Sequence, residues 1–525
     1  MTAYGGIITA ILSRRLYRCL LAVVLGVLAV AALPPFYIIP VLWLSFTGLA
    51  ILIVTANKWY QAALEGWLFG LGWFAGGLYW IGYAFLVDAD RYAALMPVAV
   101  IGISCGMALY TALSMVLFFH IRKRAGPCCA VLIPAFAGCW ALGEWFRSWV
   151  VTGFPWNPLS SVWGFSPVMM QSVAWIGSLG LSFLTALVFV SPLLIWESGR
   201  LERLWASVKV LAICLILPLM WLGGNSRIDG ASLLTHNDIV LRLVQPDIPQ
   251  ALKWHPKLRQ EHVLKQMAMS KRTAGPLGAP THVFWAETNV PYMIEPDSTI
   301  PAALAAAVPP KGALFFGAPR RDAAGKAYNS LFAINDNGKV AAVFDKFHLV
   351  PFGEYVPFRD YMPFEKLTAG RGDFTAGPGP ATLHIDGLPP FAAIICYEVI
   401  FSGHVVDSTD RPSWILNITN DAWFGPSTGP RQHLVQVQLR AIEEGLPVVR
   451  VANTGISAVV DAYGRIRNRL ELDQQGILDA LLPIPIKPTF FAAYGQSASF
   501  LFALVILLGG LIVRARAKKI ARARL

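Results

Sequence analysis

Charge is what this 525-residue chain has little of: Asp, Glu, Lys and Arg together make up 14% of it. A soluble globular chain carries about a quarter. With 55% hydrophobic residues and a mean hydropathy of +0.54, that excludes a disordered protein and argues against a purely soluble enzyme. Acid is scarcer than base, 31 residues against 43, for a formal net charge of +12. Internal repeats and low-complexity tracts are absent from the sequence. So are a metal-ligand cluster and a phosphate-cradling glycine loop, and no cofactor and no metal are expected. A basic excess can mark nucleic acid, an anionic surface or membrane orientation. Its location decides. Residues 225–494 hold 25 basic and 25 acidic side chains, and the remainder holds 18 and 6. The whole excess lies on the apolar part. A nucleic-acid binder usually carries it on the globular part, so no nucleic-acid partner is expected.

Uncharged apolar runs fall at about 19–33, 36–55, 66–86, 94–119, 128–143, 173–195, 210–224 and 496–513. Most approach or exceed the roughly 18–20 residues that cross a bilayer. The expected architecture is a membrane α-helical bundle of eight spans: a transmembrane domain 1–224, a globular domain 225–494, and a last span with a basic tail, 495–525. Arg14, Arg15 and Arg18 precede the first run. Alternation then puts Lys58, the Arg122-Lys123-Arg124 cluster, Arg200, Arg203 and the tail from Arg514 to Arg524 on that same side. The positive-inside rule makes that side cytoplasmic and leaves 225–494 outside. Residues 1–33 also have the parts of a cleaved signal peptide, which would leave the domain on the same side. Glu65 and Glu144 stand near span ends, where a carboxylate reaches the interface at little cost, and span centres are nearly free of ionisable groups, against ion-coupled transport.

In 225–494 the alternating, β-branched stretch 238–246 reads as a strand. Similar runs recur at 281–287, 313–317, 330–334, 340–344, 391–396, 413–418, 447–452 and 457–461, and 257–270 and 431–445 read as helices. That alternation argues for a layered α/β domain. The stretch 351–380 differs, rich in Pro, Gly and aromatics (Phe352, Tyr355, Phe358, Tyr361, Phe364, Phe374), and is too long for an ordinary connection.

Of seven cysteines, Cys19, Cys105, Cys128, Cys129, Cys139 and Cys214 lie in or beside apolar runs, and Cys396 alone lies in the globular domain. Outside the cell it has no partner for a disulfide. An inert core thiol and a nucleophile are both open readings, and its place at the end of the run FAAII favours neither. Glu287 ends THVFWAE and Lys346 ends VAAVFDK. Three strands of one sheet, each ending in a reactive side chain, would gather a base, a cation and a thiol at one edge. None of the domain's histidines stands in a recognisable signature.

The stretches VFWAETNVP, FDKFHLVPFGEYVP, IICYEVIF and NITNDAWFG resemble the nitrilase superfamily, whose Glu-Lys-Cys triad follows three strands in this order. The resemblance implies an external α/β nitrilase-like αββα sandwich. With the fused spans, VQPDIPQALKW, GFPWNP at 153–158 and the terminal span, the chain resembles the apolipoprotein N-acyltransferase family nearly end to end. The resemblance implies a bacterial inner-membrane enzyme, multi-pass, with its catalytic domain in the periplasm. It implies ping-pong acyl transfer. Cys396 attacks the sn-1 ester of a phospholipid acyl donor, phosphatidylethanolamine by preference. The acceptor is an apolipoprotein, through the α-amine of its diacylglyceryl-cysteine. Glu287 is implied as general base and Lys346 as oxyanion partner, with Glu354, Tyr397 and Glu398 in support. Glu398 orients the lysine or the substrate amine, or else holds a turn. Trp254 and Trp423 are implied in substrate binding, and 351–380 as a flap dipping into the outer leaflet. Membrane lipids are the further partner, and a monomer is expected. Three other readings stay open on sequence alone: a membrane-tethered carbon–nitrogen hydrolase acting on a soluble amide, a transporter with an external binding domain, and a lipoprotein chaperone without chemistry.

Overall fold

The uncharged runs at both ends of the chain fold as helices, the conformation in which a backbone satisfies its own amides where water is scarce. A computed structural model describes residues 14–126, 129–199, 202–232, 234–361 and 372–523. Cys128, Arg200, Phe364 and Arg524 lie outside these described residues. One compact unit comprises Met1–Tyr79, Leu95–Gly230 and Ala493–Leu525, and a second comprises Trp80–Ala94 and Ala231–Ala492.

In the first unit the principal helices are Arg15–Val30, Val41–Val54, Trp59–Gly77, Met96–Ala125, Cys129–Trp149, Val173–Val190, Arg203–Cys214, Ile216–Asp229 and Gln496–Ala523. Among the described residues three helices, Ala89–Ala125, Val173–Val190 and Arg203–Asp229, are long and apolar enough to cross a membrane, and Val41–Val54 and Gln496–Ile512 are shorter apolar helices. The run at 66–86 is not one continuous helix. It is α-helical to Gly77 and 3₁₀ over Tyr79–Leu86. From Trp80 the chain packs into the second unit, where the Trp80 indole donates to Gln432 Oε1 at 3.1 Å and its ring meets Phe424 at 4.4 Å.

Glu65 and Glu144 do not reach an interface as expected; they are 3% and 9% exposed. Arg18 Nε lies 2.6 Å from Glu65 Oε1, and its other nitrogens donate to Glu65 Oε2, Thr55 Oγ1 and the Leu52 carbonyl. Glu144 Oε1 accepts from the Trp140 indole and the Leu159 amide. Arg147 donates to the carbonyls of Phe154 and Trp156, stapling the GFPWNP loop.

The second unit is built on two six-stranded sheets. The first contains β1 (Thr235–Gln245), β2 (His282–Trp285), β3 (Ala313–Arg321), β4 (Ala327–Asn335), β5 (Val340–Asp345) and, at its far edge beside β1, β12 (Gly476–Pro483). The second contains β6 (Thr382–Leu383), β7 (Phe391–Ile395), β8 (Trp414–Thr419), β9 (Val448–Ala452), β10 (Ser457–Val460) and β11 (Ile466–Leu470), paired in reverse numerical order. Strands β1–β2–β3 and β7–β8–β9 are parallel, and the outer pairs are antiparallel.

Side chains alternate between the faces of a strand, and this alternation makes the layers. Leu241, Leu243, Phe284 and Phe315 of the first sheet meet Phe391, Ile395, Trp414 and Leu416 of the second in one core. Val283, Trp285, Leu314 and Phe316 face the other way, onto Met269 of the helix Arg259–Ser270. The helix Gly429–Glu444, buried at every position except Arg431, packs on β9 and β10. The result is the expected αββα sandwich. Each fully buried Phe or Leu contributes about 1.5–3 kcal/mol, so the twin sheets form a rigid platform for their loops.

Candidate active site

The loops that matter follow the carboxyl ends of three strands. Glu287 lies two residues beyond β2, Lys346 follows β5 directly and Cys396 follows β7 directly. Two antiparallel steps separate β3 from β5, so β5 ends at the same edge as β2. The expectation of a single sheet is corrected here: Cys396 comes from the second sheet, and the face-to-face packing brings the two edges together.

Lys346 Nζ lies 3.1 Å from Glu287 Oε1 and 3.0 Å from Glu354 Oε1, and its side chain is 1% exposed. Asn329, from the start of β4, donates its side-chain amide to both of those oxygens at 2.8 and 2.7 Å. The remaining oxygens accept main-chain amides, Glu287 Oε2 from Asn420 and Glu354 Oε2 from Val350. Both carboxylates are therefore gripped at both oxygens. Burial pushes the Lys346 ammonium down, but Glu287 and Glu354 outweigh it and hold the group above its ordinary range. Close backbone approach fixes this corner. A Cβ on Gly317 of β3 would lie 2.5 Å from the Thr288 amide and 2.6 Å from Glu287 Cα.

Cys396 is buried and carries a positive φ of 51°. For a side chain this conformation costs of order 1–3 kcal/mol and persists only where the surroundings enforce it. Two buried groups do so. Glu398 Oε2 accepts the Ile395 amide at 2.6 Å, and Oε1 accepts those of Phe347 and His348 at 2.6 and 3.0 Å. Glu398 thus ties the turn after Lys346 to the turn at Cys396. Burial pushes its carboxyl up to about 8, opposed by these amides and by Lys346. Beside Cys396, His433 Nε2 sits 3.2 Å from its carbonyl. A carbonyl only accepts, so Nε2 carries the proton. Burial and Arg450 push His433 down, opposed by Asp421, and its Nδ1 lies 3.0 Å from both Asp421 Oδ1 and Arg450 Nη2. Burial raises Asp421, but Arg450 and His433 outweigh it and hold that carboxyl far below the usual range.

Burial pushes the Cys396 thiol up, Glu287 pushes the same way, and Lys346 and a hydrogen bond with Thr419 oppose them. These effects favour the thiol over the thiolate at Cys396.

Glu354 therefore sits directly on Lys346. Tyr397 is buried and packs edge-on against Phe401 at 5.2 Å. Trp254 is half-buried, directly after Lys253, and Trp423 is half-buried in the turn Asp421–Phe424 that follows β8. In the aromatic stretch, Phe352, Phe358 and Tyr361 are exposed, while Phe374 N returns to the Glu354 carbonyl at 2.9 Å. Sequence reasoning passed over Asn329, which carries no local signal, and His433, which stands in no signature. Asn420 and Lys253 lay inside quoted motifs, NITNDAWFG and ALKW, without an assigned task.

A family profile described as the apolipoprotein N-acyltransferase N-terminal domain matches residues 25–191. One described as carbon-nitrogen hydrolase matches 276–485. Apolipoprotein N-acyltransferase of Rhodopseudomonas palustris is 37% identical over 512 residues, covering 94% of each chain. That of Bradyrhizobium diazoefficiens is 39% identical over 521 residues, covering 96% of each. The chain belongs to the apolipoprotein N-acyltransferase family. It is an acyltransferase with a nitrilase-like α/β domain, and with its apolar helices it is a bacterial membrane protein. The solved structure of Saccharomyces cerevisiae Nit3, a member of branch 10 of the nitrilase superfamily, aligns with 48% of this chain and 93% of its own, at 18% identity and a TM-score of 0.35.

Proposed function

We propose that this family member moves an acyl chain from the sn-1 ester of a phospholipid to the N-terminal α-amine of the diacylglyceryl-cysteine of an apolipoprotein, through a thioester on Cys396. The observation that carries it is the convergence of Glu287, Lys346 and Cys396 at one edge of the sandwich. Glu287 takes the thiol proton as the sulfur attacks the ester carbonyl. Lys346 holds the oxyanion. The C–O bond breaks, and the leaving lysophospholipid oxygen takes the proton from Glu287. The acceptor amine then attacks the thioester and gives its proton to Glu287, and the sulfur leaves. Glu354 fixes Lys346, Glu398 fixes the nucleophile's turn, and Trp254 and Trp423 line the way in for lipid. Residues 351–380 form the membrane-facing flap, and the pocket keeps water from the thioester.

This reading assigns 1–224 to a seven-span domain, 225–494 to a periplasmic catalytic domain and 495–525 to the eighth span and cytoplasmic tail. Basic clusters on alternate loops support it. In spheroplasts a membrane-impermeant maleimide labels Lys326→Cys directly, and Lys58→Cys only after permeabilisation.

Mass spectrometry of the purified protein tests the chemistry. A fatty-acyl adduct on Cys396 is expected, formed with one equivalent of lysophospholipid and absent from Glu287→Gln. Free fatty acid released at the full turnover rate without acceptor would make the protein a hydrolase. Full activity in Cys396→Ala would remove the covalent mechanism.

A further inference from the structure

His433 is a buried imidazole beside Cys396 for which the proposed chemistry has no task. It stands on the helix Gly429–Glu444, and both of its ring nitrogens meet fixed partners. Nε2 donates to the main-chain carbonyl of Cys396 at 3.2 Å. Nδ1 lies 3.0 Å from Asp421 Oδ1 and from Arg450 Nη2. Cysteine enzymes commonly use a histidine to take the thiol proton. This ring is not placed for that: Nε2 already gives its proton to a carbonyl, and Nδ1 stands between a carboxylate and a guanidinium. The frame around the imidazole is also buried and cross-braced. Arg450, on β9, donates Nη2 to Asp421 Oδ2 at 2.6 Å, Nη1 to Asn417 Oδ1 at 2.5 Å and Nε to the Ile456 carbonyl at 3.2 Å. Asn417, on β8, donates to the carbonyl of Ile394 on β7 at 3.3 Å, two residues before Cys396. The Thr419 hydroxyl donates to Asp421 Oδ1 at 2.9 Å. A Cβ on Gly455 would stand 2.6 Å from Asp421 Oδ2, so backbone closes that side.

We propose that His433 is a positioning residue of the acyl-transfer site: its Nε2–H bond to the Cys396 carbonyl, braced by Asp421 and Arg450, holds the strained turn that aims the sulfur. The inference rests on the reading of Cys396 as the nucleophile. Cys396 has a φ of 51°, a conformation that a side chain adopts only under constraint. The Ile395 amide before its Cα is held by Glu398 Oε2 at 2.6 Å, and the carbonyl after its Cα is held by His433. With the chain pinned on both sides, the Cα–Cβ bond has one direction. Loss of the imidazole donor leaves a buried carbonyl without that partner and frees the turn to relax. The clamp grips main chain and not lipid. It therefore serves attack on the ester and attack on the thioester alike, and it bears on kcat rather than on phospholipid binding.

The test is the rate of acyl-adduct formation on Cys396 and of transfer to an acceptor amine, in the full-length protein in detergent, with the melting temperature measured in parallel. His433→Gln places an amide N–H at the reach of Nε2. His433→Asn places one only at the reach of Nδ1, and His433→Leu removes both. His433→Leu and His433→Asn are expected to slow both steps about 100-fold while KM for phospholipid holds. His433→Gln is expected to recover to within about tenfold of wild type. A His433→Gln protein as slow as His433→Asn, at an equal melting temperature, overturns the inference. So does a wild-type rate in His433→Asn, or a loss confined to KM. If His433→Leu does not fold, the Gln and Asn replacements still decide. Absence of an acyl adduct from wild type would remove the covalent mechanism instead. Alkylation of Cys396 by iodoacetamide then reads the clamp directly: the same order of variants supports it, and equal rates overturn it.

Discussion

At Cys396 two requirements oppose each other. In the proposed mechanism burial shields the thioester from water, yet it also penalises the thiolate that has to form. The residues around it answer the second requirement. Lys346 is held charged by two carboxylates, and Glu287 keeps an oxygen within reach of protons although three donors already grip it. Glu398 shows the same tension in a structural role. Burial raises its carboxyl to about 8, so the folded protein holds that proton more tightly than the unfolded chain. The group's stabilising share is full below the ordinary carboxylate range and is lost as pH rises through about 8. Thermal melts in detergent from about pH 5 to about pH 9 should show wild type losing stability relative to Glu398→Gln as pH rises. Parallel curves would leave Glu398 without this role.

Strand ends set the scale of the elements. Residues one or two positions after β2, β5 and β7 reach one edge because parallel and twice-reversed strands end together. The backbone is packed tightly enough there that one methyl group matters. Gly317→Ala forces β3 away from the Glu287 turn, since the new Cβ would stand 2.5–2.9 Å from main-chain atoms of Ala286, Glu287 and Thr288. A shift of this kind at Glu287, the proposed general base, costs about 100-fold in rate. Kinetics should show kcat falling by about that factor, with circular dichroism and gel filtration unchanged. A rise in KM with kcat unchanged would place the constraint elsewhere. The NITNDAWFG turn has a similar double duty: Asn420 holds Glu287, and one residue on, Asp421 holds the Arg450 side chain that orients His433 behind Cys396.

For the molecule as a whole, the apolar unit encloses a buried ion pair. Arg18 and Glu65 meet 47 residues apart, both nearly inaccessible. Removing one partner leaves a buried charge uncompensated, at a cost of about 3–5 kcal/mol, whereas removing both is often neutral. Arg18→Met should therefore lower the melting temperature sharply, and the double replacement with Glu65→Met should recover most of the loss. Equal destabilisation by the single and double variants would mean that Arg18 acts through Thr55 and Leu52 instead.

The family, the sandwich and the Glu-Lys-Cys order were legible in the sequence because each rests on local information. Strand alternation, a reactive residue just past a strand, and the distribution of charge between apolar and neutral parts all survive in one dimension. The exchange of partners across the fold did not. Asn420 bonds Glu287 from 133 residues away, and Asn329 bridges two carboxylates 42 and 25 residues distant. Arg18 reads as a topology charge beside a span and is instead half of a buried pair. Cys396 reads as one more strand end of the same sheet and comes from the facing one. Lys253 is unremarkable in ALKW until folding buries its ammonium against the Glu287 turn. The sequence by itself determined which chemistry is present and how the chain alternates between apolar and globular parts. Only the tertiary structure decided which charges meet, because the energy of a buried charge depends on the partners that folding brings to it.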